Sequence, residues 1–355
     1  MASKLLWAMF LFVPISIGLG LSGGSPPLVF FTACLAVIPL AGLMGRGTEQ
    51  LTRHVGPGLG GLISSSFGNA AELILAFIAL REGHIDVVKA SLTGSIIGNM
   101  LLVLGLAMLL GGWKHKELRF SRAAAESNSS MMFLAVVALV IPAIYARVSQ
   151  HKHPEHIESL SLAISGILIF TYAASLVFSL RSHRHLFRPE AEPGETPHEH
   201  AGPGWSVGRA VATLVAAAVM VAVVAEFLVG AVESAGHALG LGDVFMGVVV
   251  LALVGNAAEN STAVQVAMRN QMDLALAIAV GSSMQIAIFV APLLVIAGHL
   301  MGQPLGLEFS MLEVAAVMLS VVTMTLLIRD GRTNWFEGLQ LLAVYAILAI
   351  AFYFS

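Results

Sequence analysis

The chain has 355 residues, 57% hydrophobic and 11% charged, with a mean hydropathy of +0.87. A soluble protein of this length needs far more charge on its surface, so the composition predicts a membrane protein. A formal net charge of −3 and a pI near 6.4 give no sign of a nucleic-acid partner, and the single Cys34 excludes an internal disulfide.

Apolar runs near the length of a bilayer crossing predict an all-α polytopic membrane protein, with the lipid bilayer as its surroundings. The candidate transmembrane helices, about 11 in number, cover about 5–21, 28–45, 57–80, 87–111, 129–147, 158–181, 207–236, 244–267, 273–298, 309–328 and 335–354. A β-barrel is excluded because the runs are continuous and do not alternate. Lys4 followed by Leu5–Leu21 has the look of a signal peptide, but it runs into the next span without a cleavage site. It is read as an N-terminal transmembrane helix within residues 1–27. With the N-terminus cytoplasmic, the inner segments hold fourteen Lys and Arg and the outer ones only four, Arg81, Lys89, Arg147 and Lys152. That bias places the N-terminus inside and the C-terminus outside.

The pentapeptide Gly-Asn-Ala-Ala-Glu occurs twice, at 68–72 and at 255–259, each time deep within an apolar stretch. An offset of 187 residues aligns the copies, and ten of the 28 residues from 68 to 95 recur between 255 and 282 without a gap. Asp86 meets Asp273, Gly94-Ser95 meets Gly281-Ser282, and Glu126 meets Glu313. Residues 28–181 and 207–355 therefore read as two five-helix repeats, joined by a charged cytoplasmic linker, 182–206. Five is odd, so the two units are inverted with respect to each other. That plan is common in secondary transporters, with the substrate near the bilayer midplane.

A carboxylate at that depth costs about 2.5–3.5 kcal/mol on insertion scales, and two in duplicated surroundings point to use. Asn69 and Glu72 share one helical face, as do Asn256 and Glu259. The small residues around them allow two helices to cross closely. Two carboxylates, two amide oxygens and nearby carbonyls or waters make an all-oxygen site for a hard cation. No His or Cys adjoins the motif, which argues against zinc or copper. The competing reading is a purely structural pair of glutamates hydrogen-bonded across a helix crossing.

Ser95, Asn99, Ser282, Ser283 and Gln285, on the next span of each half, are candidates to complete the cavity. A serine there can equally satisfy a carbonyl of its own helix. Glu126 and Glu313 are candidates for proton or ion entrances, or ordinary helix N-terminal carboxylates. Glu226 and Glu233 read as gating or packing residues. The histidines at 151–156 and 183–200 read as flexible polar loops, and the sixteen Met residues as packing filler.

The doubled motif, with Gly281-Ser282-Ser283-Met284-Gln285-Ile286 after its second copy, resembles the calcium/proton exchanger (CAX) family of the calcium/cation antiporter superfamily. The resemblance runs from Gly45 to the end of the chain. Related sodium/calcium exchangers carry a Pro before the Glu where this chain has Ala71 and Ala258. It implies Glu72 and Glu259 as the central cation and proton carboxylates, Asn69 and Asn256 as co-ligands, and Ser95, Ser282 and Gln285 as polar groups of the cavity. The linker departs from the family, mixing four Glu with Arg and His where members often have an acidic segment. The implied activity is calcium export in exchange for protons from a bacterial cytoplasm, with calcium ions and protons as transported substrates and no cofactor. Sodium or potassium exchange on the same fold is the alternative within the family, and a cation channel the alternative outside it. A membrane enzyme is not indicated, since no His-Glu-x-x-His and no nucleophile–base pair is evident.

Overall fold

The computed structural model describes residues 7–55, 63, 67–149, 154–182 and 204–355. In chain order the helices are α1 (Phe12–Leu21), α2 (Pro26–Thr52), α3 (Ala70–Arg81), α4 (Ile85–His115), α5 (Arg122–Val148) and α6 (Glu155–Ser182). They continue with α7 (Val207–Leu239), α8 (Asp243–Gly255), α9 (Ala257–Ala267), α10 (Met272–Met301), α11 (Met311–Leu327) and α12 (Trp335–Tyr353). Seven of these, α2, α4, α5, α6, α7, α10 and α12, are long and apolar enough to cross a membrane. The pair α8 and α9 makes an eighth if counted as one span, bent by 63° at its break. Trp7–Leu21 and Met311–Leu327 are shorter apolar helices. The predicted span 57–80 is described mainly in its second half, as α3.

Local chemistry sets the helix ends. Pro26 and Pro27 open α2, where their missing N–H groups cost nothing. Ser121 and Ser206 cap α5 and α7 by accepting from Ala124 and Arg209 N–H. Ser310 and Glu313 form a reciprocal capping box at α11. The α3–α4 and α9–α10 turns each hold one residue at positive φ, Gly83 and Asn270, which are 187 positions apart. Asn is the non-glycine residue that best tolerates that region. One departure from an all-helical chain is a two-residue antiparallel pairing, Leu118–Arg119 (β1) with Arg332–Thr333 (β2), which ties the α4–α5 loop to the α11–α12 loop.

The second helices after the motifs, α4 and α10, are the most buried of the long ones. Each contains a π-helical turn, Gly98–Val103 and Ile286–Val290. Such turns often mark functional sites. Close crossings depend on missing side chains: a Cβ on Gly94 would overlap the Val248 carbonyl of α8, and one on Gly338 would meet Leu109 of α4. The longest helix contact runs between α2 and α7, with Gly47 set against Leu214 and Ala210.

Candidate functional site

Both copies of the pentapeptide stand at the start of a helix, and the second also ends the helix before it. Asn69 (φ −98°, ψ 28°) immediately precedes α3, and Asn256 (φ −89°, ψ 2°) lies between α8 and α9. An asparagine before a helix ordinarily caps it by accepting from an N–H of the first turn. Neither does so here. Their amides are instead engaged elsewhere, and this is the central feature of the site.

Asn69 Nδ2 donates to Gln285 Oε1 at 2.8 Å, while its Oδ1 accepts from the Ser282 hydroxyl. Both partners lie on α10, in the other half of the chain. Asn256 Nδ2 donates to Ser95 Oγ of α4 at 3.0 Å and to the Ala252 carbonyl at 2.9 Å. Asn99 of α4 donates to Asn256 Oδ1 at 3.4 Å and to Ser282 Oγ at 3.2 Å. All of these side chains except Gln285 are at most 6% exposed. Buried polar groups need such partners, and here they come mostly from the opposite half.

Three residues into the helices that follow, Glu72 and Glu259 occupy the first turns of α3 and α9. A helix N-terminus stabilises negative charge at that position. The two carboxyl groups are close enough to interact electrostatically. Glu72 lies over the second motif, because a Cβ on Gly255 would stand 3.6 Å from its Cγ and 3.7 Å from its Oε1. Its Oε2 is buried without a hydrogen-bond partner. Glu259 and Ser282 line the same cavity.

A cavity of about 750 Å³ reaches this centre. Glu72, Glu259, Asn69, Ser282 and Gln285 line it at the motifs, and Arg46, Glu49 and Thr52 line it at the C-terminal end of α2. Pro39, inside α2, borders it where a proline weakens the helix. Every side chain in that central group carries oxygen. Two carboxylates, two amides and a hydroxyl open to water match the oxygen-only, six-to-eight-coordinate preference of calcium.

Asparagine at the start of a helix in both motifs, a glutamate from each motif on one cavity and amide contacts between the halves set the site, and comparison with known sequences places the chain. The sodium/calcium exchanger protein family matches residues 25–181 and 209–354. The chain belongs to that family. Among its relatives is a Ca(2+)/H(+) antiporter of Aphanothece halophytica, 45% identical over 99% of this chain and 97% of the relative. A Ca(2+)/H(+) antiporter of a Synechocystis strain is also 45% identical, over 99% of this chain and 98% of its own. The solved structure of native YfkE shares the fold with a TM-score of 0.86 and 37% identity, covering 99% of this chain and 100% of that one.

Of the other residues singled out in this exchanger, several lie away from the cavity. Ser95 and Asn256 are buried beside it but do not line it. Asn99 and Ser283, expected to complete the cavity, do not line it either. The Ser283 hydroxyl donates to the carbonyls of Ile96 and Ala279, its own helix included. Glu126 is exposed and pairs with Arg122 at 2.8 Å. Glu313 is buried in its capping box, with Thr93 donating to Oε1 at 3.3 Å. Neither borders this cavity. Glu226 pairs with Arg81 at 2.9 Å, and Glu233 with His84 at 2.7 Å. The histidines at 151, 153 and 183–200 lie outside the described residues. Sequence reasoning missed the cavity-lining roles of Glu49 and Gln265. Gln265 carried a signal, since Glu259, Thr262 and Gln265 recur at helical spacing in an apolar span.

Proposed function

We propose that this chain is an antiporter that exchanges calcium ions for protons by alternating access, with Glu72 and Glu259 as the shared binding pair. The observation that carries this reading is that two glutamates, one from each motif, line one cavity together with Asn69, Ser282 and Gln285. Asn69, Asn256, Ser95, Ser282 and Gln285 are its further polar groups, Asn69, Ser282 and Gln285 lining the cavity and the other two supporting from behind. The close resemblance to named Ca(2+)/H(+) antiporters supports calcium and protons as the substrates. The role is transport, not catalysis.

The arithmetic of charge supplies the coupling. Two ionised carboxylates carry −2, which one calcium ion or two protons neutralise. Either load leaves the centre near neutral, whereas the empty, doubly charged centre crosses a low-dielectric barrier poorly. Calcium and protons therefore compete, and the pair titrates as a unit.

The same reading has eleven spans in two inverted five-helix repeats behind one N-terminal helix. Three observations support it. The asparagine at a helix start, the π-helical turn and the positive-φ turn each recur in both halves. The Ser283 hydroxyl donates to Ile96 O, and those positions are 187 apart, so repeat-related residues meet on what would be the symmetry axis. The family match also leaves out 182–208, around the linker between the halves. With the N-terminus cytoplasmic and the C-terminus outside a bacterial cytoplasmic membrane, the Arg46–Thr52 part of the cavity lining lies on the cytoplasmic side.

Calcium uptake into everted vesicles under an imposed pH gradient tests the function. Uptake must require opposing proton movement, and uptake that ignores the proton gradient points to a channel. Sodium and potassium run in parallel would reveal the alternative selectivity. A reporter after Ser355 and another near Glu195 must report opposite sides.

A further inference from the structure

We infer that Asn99 is a positioning residue for calcium binding, the amide through which the two motif asparagines are held in register. The inference rests on the site proposed above, although Asn99 itself does not line the cavity.

The argument begins from hydrogen count. An amide nitrogen has two hydrogens to give, and both of those on Asn99 go to the centre: one to Asn256 Oδ1, the other to Ser282 Oγ. Two arms leave from that nitrogen. Along one, Asn256 has its oxygen fixed by Asn99 and turns its own Nδ2 to Ser95 and the Ala252 carbonyl. Along the other, Ser282 has an oxygen lone pair filled by Asn99 and aims its single hydrogen at Asn69 Oδ1, and Asn69 then donates to Gln285. Donor follows acceptor without a break from Asn99 to both motifs. The Ala252 carbonyl and Asn99 together set which end of the Asn256 amide faces which neighbour, and Asn99 alone adds the link to Ser282, biasing where its hydrogen points. Asn69 lies one bond further along.

The residue has no counterpart in the repeat. Position 99 corresponds to Ile286, and Gln285 corresponds to Gly98. One hub serves both motifs, which symmetry alone would not provide. It sits in the π-helical turn Gly98–Val103 and is 2% exposed, so it lies away from solvent. Groups that orient metal ligands from behind commonly change metal affinity by about 10–100-fold when removed.

The test is N99A, with N99S as a milder variant that keeps one donor, measured as proton-driven calcium uptake in everted vesicles and as calcium-dependent thermal stabilisation of purified protein. The expected result for N99A is a calcium half-saturation raised about tenfold, with the saturated rate within about twofold of wild type. The thermal shift should need correspondingly more calcium, and N99S should fall between N99A and wild type. A residue that merely packs would lower thermal stability equally with and without calcium and leave half-saturation alone, and that outcome overturns the inference. So does a fall in saturated rate without a change in half-saturation. If N99A does not fold, an N99S half-saturation equal to wild type is decisive against it. Wild type and E259Q run as controls. Absence of proton-driven uptake by wild type would refute the exchanger reading, whereas normal wild-type uptake with an indifferent N99A refutes only the role of Asn99.

Discussion

The two copies of Gly-Asn-Ala-Ala-Glu are identical in sequence and unlike in surroundings. In the first, Asn69 and Glu72 both line the cavity. In the second, Glu259 lines it while Asn256 is turned away, 1% exposed, among Ser95, Asn99 and the Ala252 carbonyl. Asn69 is held by a glutamine whose repeat counterpart is Gly98, and Asn256 by an asparagine whose counterpart is Ile286. A duplicated motif therefore does not imply a symmetric site.

The comparison breaks most completely at the carboxylates. E72Q and E259Q should each abolish calcium–proton exchange, lowering it about 100-fold or more, because a divalent ion is left one charge short in a poorly hydrated centre. Uptake assays on membranes containing equal amounts of protein provide the measurement. A mutant that retained substantial exchange would show that the two motifs are not equivalent in charge, and the pair would no longer explain coupling.

Acidity should act on both glutamates together. Protons neutralise the charges that calcium needs, so the apparent calcium affinity must fall as pH drops. The limit is about tenfold per pH unit for each proton displaced, or about 1.4 kcal/mol. Calcium titrations of purified protein between about pH 6 and 9 would reveal it, and a flat profile would mean that protons travel by another route.

The polar neighbours sharpen the asymmetry more gently. Gln285 lines the cavity and accepts from Asn69, so Q285A should weaken apparent calcium affinity by about tenfold, the usual effect of one lost buried hydrogen bond to a binding group. Introducing a polar side chain at its counterpart, as G98Q, should not compensate, since Asn256 is already engaged by Ser95 and Asn99. Full rescue of Q285A by G98Q would show that the halves are interchangeable after all.

The smallest effect belongs to the other end of α3. There Arg81 bridges Glu82 and Glu226, and His84 meets Glu233, closing α3 and its following turn against α7. At the equivalent turn after α9, Met268 and Gln271 stand in place of Arg81 and His84. The arginine and Glu226 are about half exposed, so their pairing is worth about 0.2–1 kcal/mol. E226Q should therefore alter the exchange rate by no more than about fivefold. A total loss would mean that this contact is part of the transport path.

Much of this molecule was legible from residue type and spacing. The apolar runs predicted the membrane helices because a bilayer demands both length and internally satisfied backbone. The duplicated glutamates pointed to the centre, since buried charge is too costly to keep without use. Ser282 and Gln285 stood out as polar residues on the span that follows the second motif, and both line the cavity. The fate of the remaining polar residues was not legible. Ser283 and Ser282 are adjacent in sequence, yet one serves two backbone carbonyls and the other joins the amide network. Glu313 recurs at repeat spacing but is occupied by its own helix cap. A serine or glutamate can always choose between a local partner and a distant one, and only the packing of α4 against α10 settles which is within reach. The asymmetry of the two motifs was likewise hidden, because identical pentapeptides carry no information about which side of the bundle is open. Sequence by itself determined the helices, the doubled carboxylates and the oxygen-only chemistry. The tertiary structure alone decided which asparagine meets the cavity and that Asn99 stands between the two, since those depend on contacts between residues more than 150 positions apart.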